Sequence, residues 1–538
     1  MSNMSGTSRT DKLIGTTLIL MLVTFITKLI GFVREIFIAA KFGTSEAVDI
    51  FVAVQTIPSI ILTILGGALA AVLVPMIIRL RQENEELRLR TLLNNVFSLT
   101  SLTMLAISIL AYIFVRPLTN VYVFGFSDAA KAMTVELFQV VTPAFIVIGL
   151  ISLTTSVLNA YRVFVIPALG PAIYSLGVII GVVFFADDFG IKSLTIGFTI
   201  ALVVQIIILI IAFFRHIRTN QGQRFRFNLR IEYNDDLVKF GHLLFPFLIS
   251  IGVFQLNIVV DKMMASTLPA GNLSALNYAY KVTQLPIAIF VGTLVLPLFP
   301  LIAESIAKND TGDAKLLLKR SSRLLGILLL PVIGIFVMMA EPIISIIYQR
   351  GSFDEKSLAL TSVALIFYTF MILPFAMRDV VTRVFYALQD TWTPVINSVF
   401  IVALNVILMV IFVPIFGIIA VAGSTSISAI FGYLRLRHKL VEKIGPLNAT
   451  AANTQNVAAK VKIDKTWLRI IINAIIFTIA SWGLYQILLL SIWPNPLGAD
   501  LWLRTLVSLL VGGIIYILLT IRLNTEEVNW LKRKLKRR

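Results

Sequence analysis

Fourteen apolar stretches of about 20 residues or more dictate what this 538-residue chain can become. A run of that length crosses the hydrocarbon core of a bilayer as an α-helix, which satisfies its own backbone hydrogen bonds where no water is present. The stretches are residues 12–40, 46–78, 91–115, 129–160, 166–186, 191–214, 237–267, 272–306, 321–340, 355–388, 394–413, 416–434, 467–490 and 501–521. Hydrophobic residues make up 58% of the chain and charged ones 14%, against about 25% charged in soluble domains. The expectation is an all-α polytopic membrane protein with 14 transmembrane helices. Several stretches exceed the hydrocarbon thickness, so their charged ends project beyond it or line a watery interior. The N-terminal MSNMSGTSRTDK lacks the pattern of a cleaved signal, which makes the first stretch a retained span.

The connecting segments set the orientation. With the N-terminus inside, the inner segments carry 33 of the 46 Lys and Arg residues. The outer ends hold seven: Lys41, Arg116, Lys131, Lys192, Arg350, Lys356 and Arg504. This bias predicts that both termini are cytoplasmic. It also absorbs most of the formal net charge of +18. The tail LKRKLKRR is expected to lie on membrane lipids with anionic head groups, and no nucleic-acid partner is expected. Trp467, Trp493 and Trp502 stand at the ends of the last two stretches, as head-group anchors do.

An internal repeat organises the chain. Gly43 and Gly271 each open a turn before a long apolar stretch, and Pro58 and Pro286 follow each by the same interval. The offset is 228 in both pairs (271 − 43 and 286 − 58). LNAYRVFVIP ends at Pro167 and FYALQDTWTP at Pro394, an offset of 227 (394 − 167). The expected architecture is therefore two six-helix lobes plus two C-terminal helices. An even number of spans per half gives both halves the same orientation, a parallel repeat about a pseudo-twofold axis along the membrane normal. The expected divisions are an N-terminal lobe at 1–215, a cytoplasmic linker at 216–236 and a C-terminal lobe at 237–440. A second linker at 441–466, the last two helices at 467–522 and a basic tail at 523–538 complete the chain.

Charge inside the spans points to the function. Lys28, Arg34, Lys262, Lys281, Arg378 and Arg383 lie within apolar stretches, beside Glu35, Asp49, Asp261 and Asp379. Each such charge costs about 2.5–3.5 kcal/mol at a span centre on insertion scales, so it faces a bundle interior, a partner or a ligand. The residue pattern alone leaves open internal salt bridges and helix-end anchors. Arg383 follows Asp379 by one turn, which permits an i,i+4 pair. An excess of cations suits an anionic substrate, and the planar guanidinium suits phosphate or diphosphate. Pro58, Pro75, Pro143, Pro286, Pro297, Pro300, Pro331 and Pro374 remove backbone bonds within the stretches and suit hinge motion. There is no cysteine, no HExxH and no phosphate-binding glycine motif, so neither thiolate metal sites nor the familiar hydrolase signatures are present.

GFVREIFIAAKFGTSEAVDIFVAVQTIP, YAYKVTQLPIAIFVGTLVLPLFP and FYALQDTWTP resemble signatures of the MurJ/MviN lipid II flippases, within the multidrug/oligosaccharidyl-lipid/polysaccharide exporter superfamily. The resemblance covers nearly the whole chain. It implies a cationic central cavity, alternating access and transport of a polyprenyl-diphosphate-linked glycan lipid from the inner to the outer leaflet of the bacterial cytoplasmic membrane. The last two spans would help to form a groove for the lipid tail. Residue by residue it implies substrate binding by Lys28, Arg34, Glu35, Asp49 and Lys281. Asp261, Asn405 and Thr425 resemble part of a sodium site of some members, while Met409 stands where that site has a second acid. No cofactor and no metal centre is implied; the drive would be a coupling cation, sodium or proton, or the membrane potential. Leu62, Thr63, Gly66 and Gly67 replace residues that are often charged in the family, which leaves open a different polyprenyl-linked glycan. A cation-coupled drug antiporter would want an acidic or apolar cavity, and a polyprenyl-phosphate enzyme would want clustered acids, histidines or a metal motif.

Overall fold

The computed structural model describes residues 4–217, 228, 230–308, 310–445, 465–492 and 498–522, with side chains from residue 19 onward apart from 254 and 291–299. Most of the expected linker at 216–236, nearly all of the segment at 441–466 beyond Gly445, Trp493 and the basic tail lie outside the described residues. Among the described residues all regular structure is helical. The helices are α1 (Met4–Phe42), α2 (Glu46–Gln82), α3 (Glu86–Ile113), α4 (Val115–Tyr122), α5 (Asp128–Val141), α6 (Ala144–Ala160), α7 (Val165–Ala168), α8 (Gly170–Phe189) and α9 (Lys192–His216). They continue as α10 (Asp235–Ala265), α11 (Asn272–Ala307), α12 (Thr311–Met338), α13 (Ala340–Tyr348), α14 (Glu355–Thr369), α15 (Ile372–Ala387), α16 (Trp392–Phe416), α17 (Ile418–Ile444), α18 (Lys465–Ser491) and α19 (Ala499–Arg522).

Eleven helical segments are long and apolar enough to cross a membrane, or twelve when α5 and α6 count as one span bent by 48°. The chain is a multi-pass membrane protein. Helices α1 and α11 cover the first and eighth apolar stretches. The sequence reads the fourth stretch as unbroken, but the helix breaks between α5 and α6 beside Pro143, whose ring removes a backbone bond. The tenth stretch breaks likewise into α14 and α15. The short helices α4 and α13 are additions to the sequence reading.

The repeat recurs in the backbone. Arg162 and Gln389, 227 positions apart (389 − 162), are two of the three non-glycine residues with positive φ among the described residues, at 61° and 59°. Gly190 and Gly417, also 227 apart (417 − 190), both have φ of 56°. Gly43 and Gly271 share positive φ as well, at 59° and 91°. Helix α5 begins at Asp128 and α14 at Glu355; α6 ends at Ala160 and α15 at Ala387. These corners require the left-handed region that side chains ordinarily avoid.

The chain forms two compact units. The first comprises residues 1–274 with 350–353. Here α8 and α9 cross closely because Gly177 and Gly197 face each other; a methyl on either would run into the other's carbonyl oxygen. In lipid, where apolar side chains gain nothing by leaving one solvent for another, such close backbone packing drives association. Helix α2 packs on α6 and on α10, with Gly67 beneath Ile251. Helix α10 therefore belongs to the first unit, although the repeat begins the second half with it. Residues 350–353 close over the end of α1: Ser352 donates its N–H to the Ala40 carbonyl at 2.8 Å and its hydroxyl to Lys41 O at 2.9 Å.

The second unit comprises residues 275–349 and 354–538. Leu325, Leu329, Ile372, Val380, Phe385 and Leu436 join α12, α15 and α17 in one buried cluster. Helix α18 lies against α12, where Gly334 leaves space for Thr478, and against α19, where Gly512 leaves space for Ser481. At the α15–α16 corner Asp390 accepts from Lys443, from the Thr393 hydroxyl at 2.6 Å and from the Thr393 N–H at 3.0 Å. Burial resists ionisation of Asp390, but these bonds outweigh it and pull its carboxyl down to about 2.

Candidate substrate-binding site

Arg34 and Glu35 lie in the second half of α1, where α1 packs on α8. Both are buried, 5% and 3% exposed. Arg34 Nη2 donates to Glu35 Oε1 at 2.5 Å. Arg34 Nε is buried with no hydrogen-bond partner. Tyr174 of α8 is close enough to act on the Arg34 charge, and the Phe198 ring holds Tyr174 edge-on at 5.8 Å. The site thus retains an unused guanidinium donor in a low-dielectric setting, where charge-assisted bonds are strong. Lys28, farther back on α1, is exposed.

Asp49 has a different setting. It lies in the first turn of α2 and is 2% exposed. Its Oδ2 accepts the Gly271 N–H at 2.6 Å and its Oδ1 accepts the Ser274 N–H at 2.6 Å. Both donors belong to the opening turn of α11, whose first N–H groups have no acceptor within the helix. Lys262 of α10 lies near enough for its charge to act on the same carboxylate. Asp49 therefore acts as a cap supplied from a distant part of the sequence. Gly271 is required at that turn: φ is 91°, and a methyl there would meet the Thr44 carbonyl oxygen.

In the second unit Lys281 is half-buried on α11. Arg383 donates from Nε to Asp379 Oδ2 at 3.1 Å, the i,i+4 pair that the spacing permits, and Arg378 stacks on Phe375 at 4.9 Å. Asn405 and Met409 are fully buried on α16, and Thr425 on α17 donates to its own helix at Val421 O, 3.1 Å away. Asp261, the third residue of the cation-site resemblance, is half-buried on α10 of the first unit. No group of three or more His, Cys, Asp or Glu suited to a metal occurs among the described residues.

Sequence reasoning missed Asp236. It is buried at the start of α10 and accepts two bonds from Arg88, at 3.0 and 2.9 Å, and one from Arg79 at 3.5 Å. The arginines were legible only as inner-loop cations; the paired acids Asp235 and Asp236 opening an apolar stretch were the available signal. Tyr174 was missed as well, since one tyrosine in a helix carries no periodic signature.

The lipid II flippase MurJ family model matches residues 38–496. The probable lipid II flippase MurJ of Rickettsia prowazekii is 29% identical over 438 residues, covering 79% of this chain and 84% of that protein. The probable lipid II flippase MurJ of Thermotoga maritima is 25% identical over 520 residues, covering 96% and 98%. Among solved structures, lipid II flippase MurJ in an inward closed conformation matches with a TM-score of 0.78 and 26% identity, over 94% of this chain and 98% of that one. An inward-facing multidrug resistance MATE family transporter of the MOP superfamily shares the fold at a TM-score of 0.67 and 13% identity, over 81% and 99%. A match that spans most of the chain, made in sequence and in structure, places it in the MurJ family of lipid II flippases.

Proposed function

We propose that this protein carries lipid II, an undecaprenyl-diphosphate-linked peptidoglycan precursor, from the inner to the outer leaflet of the bacterial cytoplasmic membrane by alternating access. It does so as a transporter and not as an enzyme. The observation that carries this reading is the match along 94% of the chain to a flippase of that name. A buried Arg34 with an unused donor supports an anionic cargo. The test is depletion of the protein in its host, followed by measurement of the lipid-linked intermediates. Lipid II should accumulate in the inner leaflet; normal lipid II turnover would sink the reading.

The finer architecture belongs to the same proposal. Fourteen spans form two six-helix lobes, 1–215 and 237–440, related by a pseudo-twofold axis along the membrane normal, with the spans within 467–522 added. The shared corners at Arg162 and Gln389 and at Gly190 and Gly417 support it. The linkers at 216–236 and 441–466, the tail at 523–538 and the N-terminus face the cytoplasm, on the strength of the cation bias. Because the chain has no native cysteine, single cysteines at Thr219 and Asn453 give a clean assay. Both should resist an impermeant thiol reagent in intact cells, and labelling of both from outside would reverse the topology.

At the site, Arg34 and Lys281 contact the diphosphate, Lys28 adds charge, Glu35 orients Arg34 and Asp49 holds the backbone on which they depend. Asp261, Asn405 and Thr425 are candidates to couple transport to sodium or proton, with the membrane potential as the other source of drive. One observation favours a second reading. Leu62, Thr63, Gly66 and Gly67 leave this part of α2 uncharged, and Gly67 packs beneath Ile251, which fits another polyprenyl-linked glycan. The depletion experiment separates the two by which intermediate accumulates.

A further inference from the structure

Four helix ends in the first unit, those of α2, α6 and α9 and the start of α3, enclose a cavity of about 450 Å³. Three guanidinium groups, of Arg81, Arg90 and Arg162, line it against one carboxylate, Glu86. Arg90 occupies Glu86 at 2.7 Å, yet its Nε remains buried without a partner. Arg81 lies over the Tyr161 ring at 4.0 Å, an interaction that fixes the guanidinium without neutralising it. Arg162 is exposed at the corner with φ of 61°. The first turn of α3 adds the positive end of a helix dipole. Helices α2, α3 and α9 are each long and apolar enough to cross a membrane, and the cavity lies at their ends.

The repeat shows that these cations are not demanded by the corner itself. Gln389 occupies the equivalent of Arg162 with the same positive φ. The next residue, Asp390, binds Lys443 and Thr393, so that corner neutralises its own charge. In the first unit the next residue is Val163, and the lining keeps an excess of two positive charges over the same backbone geometry.

We propose that this cavity binds a phosphate-bearing anion, the chemistry shared by an acidic phospholipid head group and a soluble phosphate ester. Its volume is in the range of small-ligand sites, and arginine forks match phosphate oxygens in pairs. The site is separate from the transport residues and does not rest on the transport reading.

The test uses the full-length protein in phosphatidylcholine nanodiscs, with two ligand arms: phosphatidylglycerol added to the disc, and soluble inorganic pyrophosphate. Binding is followed through the thermal unfolding midpoint as each ligand is titrated. The variant is R81Q/R162Q. Glutamine is native at the equivalent φ of 59°, so Arg162→Gln keeps the corner, and a far-UV spectrum and unliganded midpoint like those of the wild type check the fold. Lys315→Gln, on α12 of the second unit, controls for diffuse surface charge. The apparent affinity of R81Q/R162Q should fall at least about tenfold in one or both arms while Lys315→Gln retains it. Loss in the lipid arm alone identifies a head-group site, loss in the pyrophosphate arm alone a soluble ligand, and loss in both a site that takes either. Equal responses of wild type and R81Q/R162Q in both arms, or no response of the wild type in either, would overturn the proposal.

Discussion

Arg34→Ala should abolish growth when it is the sole copy in a cell depleted of its own flippase. Arg34 is buried on α1, bonded to Glu35, and keeps an unpartnered Nε. A diphosphate carries about two negative charges, and bonds between it and a guanidinium are among the strong ones. The alanine variant alone is ambiguous, because it removes one partner of the buried Arg34–Glu35 pair. Breaking one partner of a buried pair costs about 3–5 kcal/mol, whereas replacing both is often close to neutral. The informative variant is therefore R34Q/E35Q, which removes both charges and retains much of the volume. It should insert at wild-type levels by membrane blot and still fail to support growth. Arg34→Lys should retain part of the activity, since charge survives and the two-pronged geometry does not. Glu35→Gln should cost less than R34Q/E35Q if Glu35 only orients the arginine. Full growth with R34A and K281A combined would show that these cations are structural.

Much of the fold was legible because lipid enforces it. A chain that must bury its own backbone bonds in hydrocarbon announces its helices as apolar runs. The repeat was legible from Gly43 and Gly271 because only certain residues tolerate positive φ, so the corners leave a fixed trace. Other features were hidden by their nature. The break after Thr369 sits inside an unbroken apolar run, and Pro143 marked a weak point near Val141 without saying that the helix ends there. The packing of α10 on α2 is a choice among helix faces, and neither Gly67 nor Ile251 alone reveals it. At the site, the Arg34–Glu35 pair was legible because the two are neighbours in sequence. The partners of Asp49 were not, since they lie 222 and 225 residues away. Spacing rules for helices reach only a turn or two.

That long-range contact carries the largest structural effect. Asp49→Ala should lower the thermal unfolding midpoint of the purified protein by many degrees and cut its level in the membrane. Two buried N–H groups, of Gly271 and Ser274, would lose a charged acceptor at once. Each orphaned donor costs about 1–3 kcal/mol, so the pair accounts for about 2–6 kcal/mol of a stability that is about 5–15 kcal/mol in ordinary domains. Asp49→Asn should be intermediate: its carbonyl oxygen can still accept one N–H, but its amide faces the other with a second donor. Gly271→Ala approaches the same turn from the opposite side, since φ of 91° and the Thr44 carbonyl both exclude a methyl, and it should lower the midpoint without touching any charge. If Asp49 served the substrate instead, Asp49→Ala would unfold at the wild-type midpoint while failing to support growth. That result would return Asp49 to the binding site, and with it a carboxylate that must be reconciled with an anionic cargo.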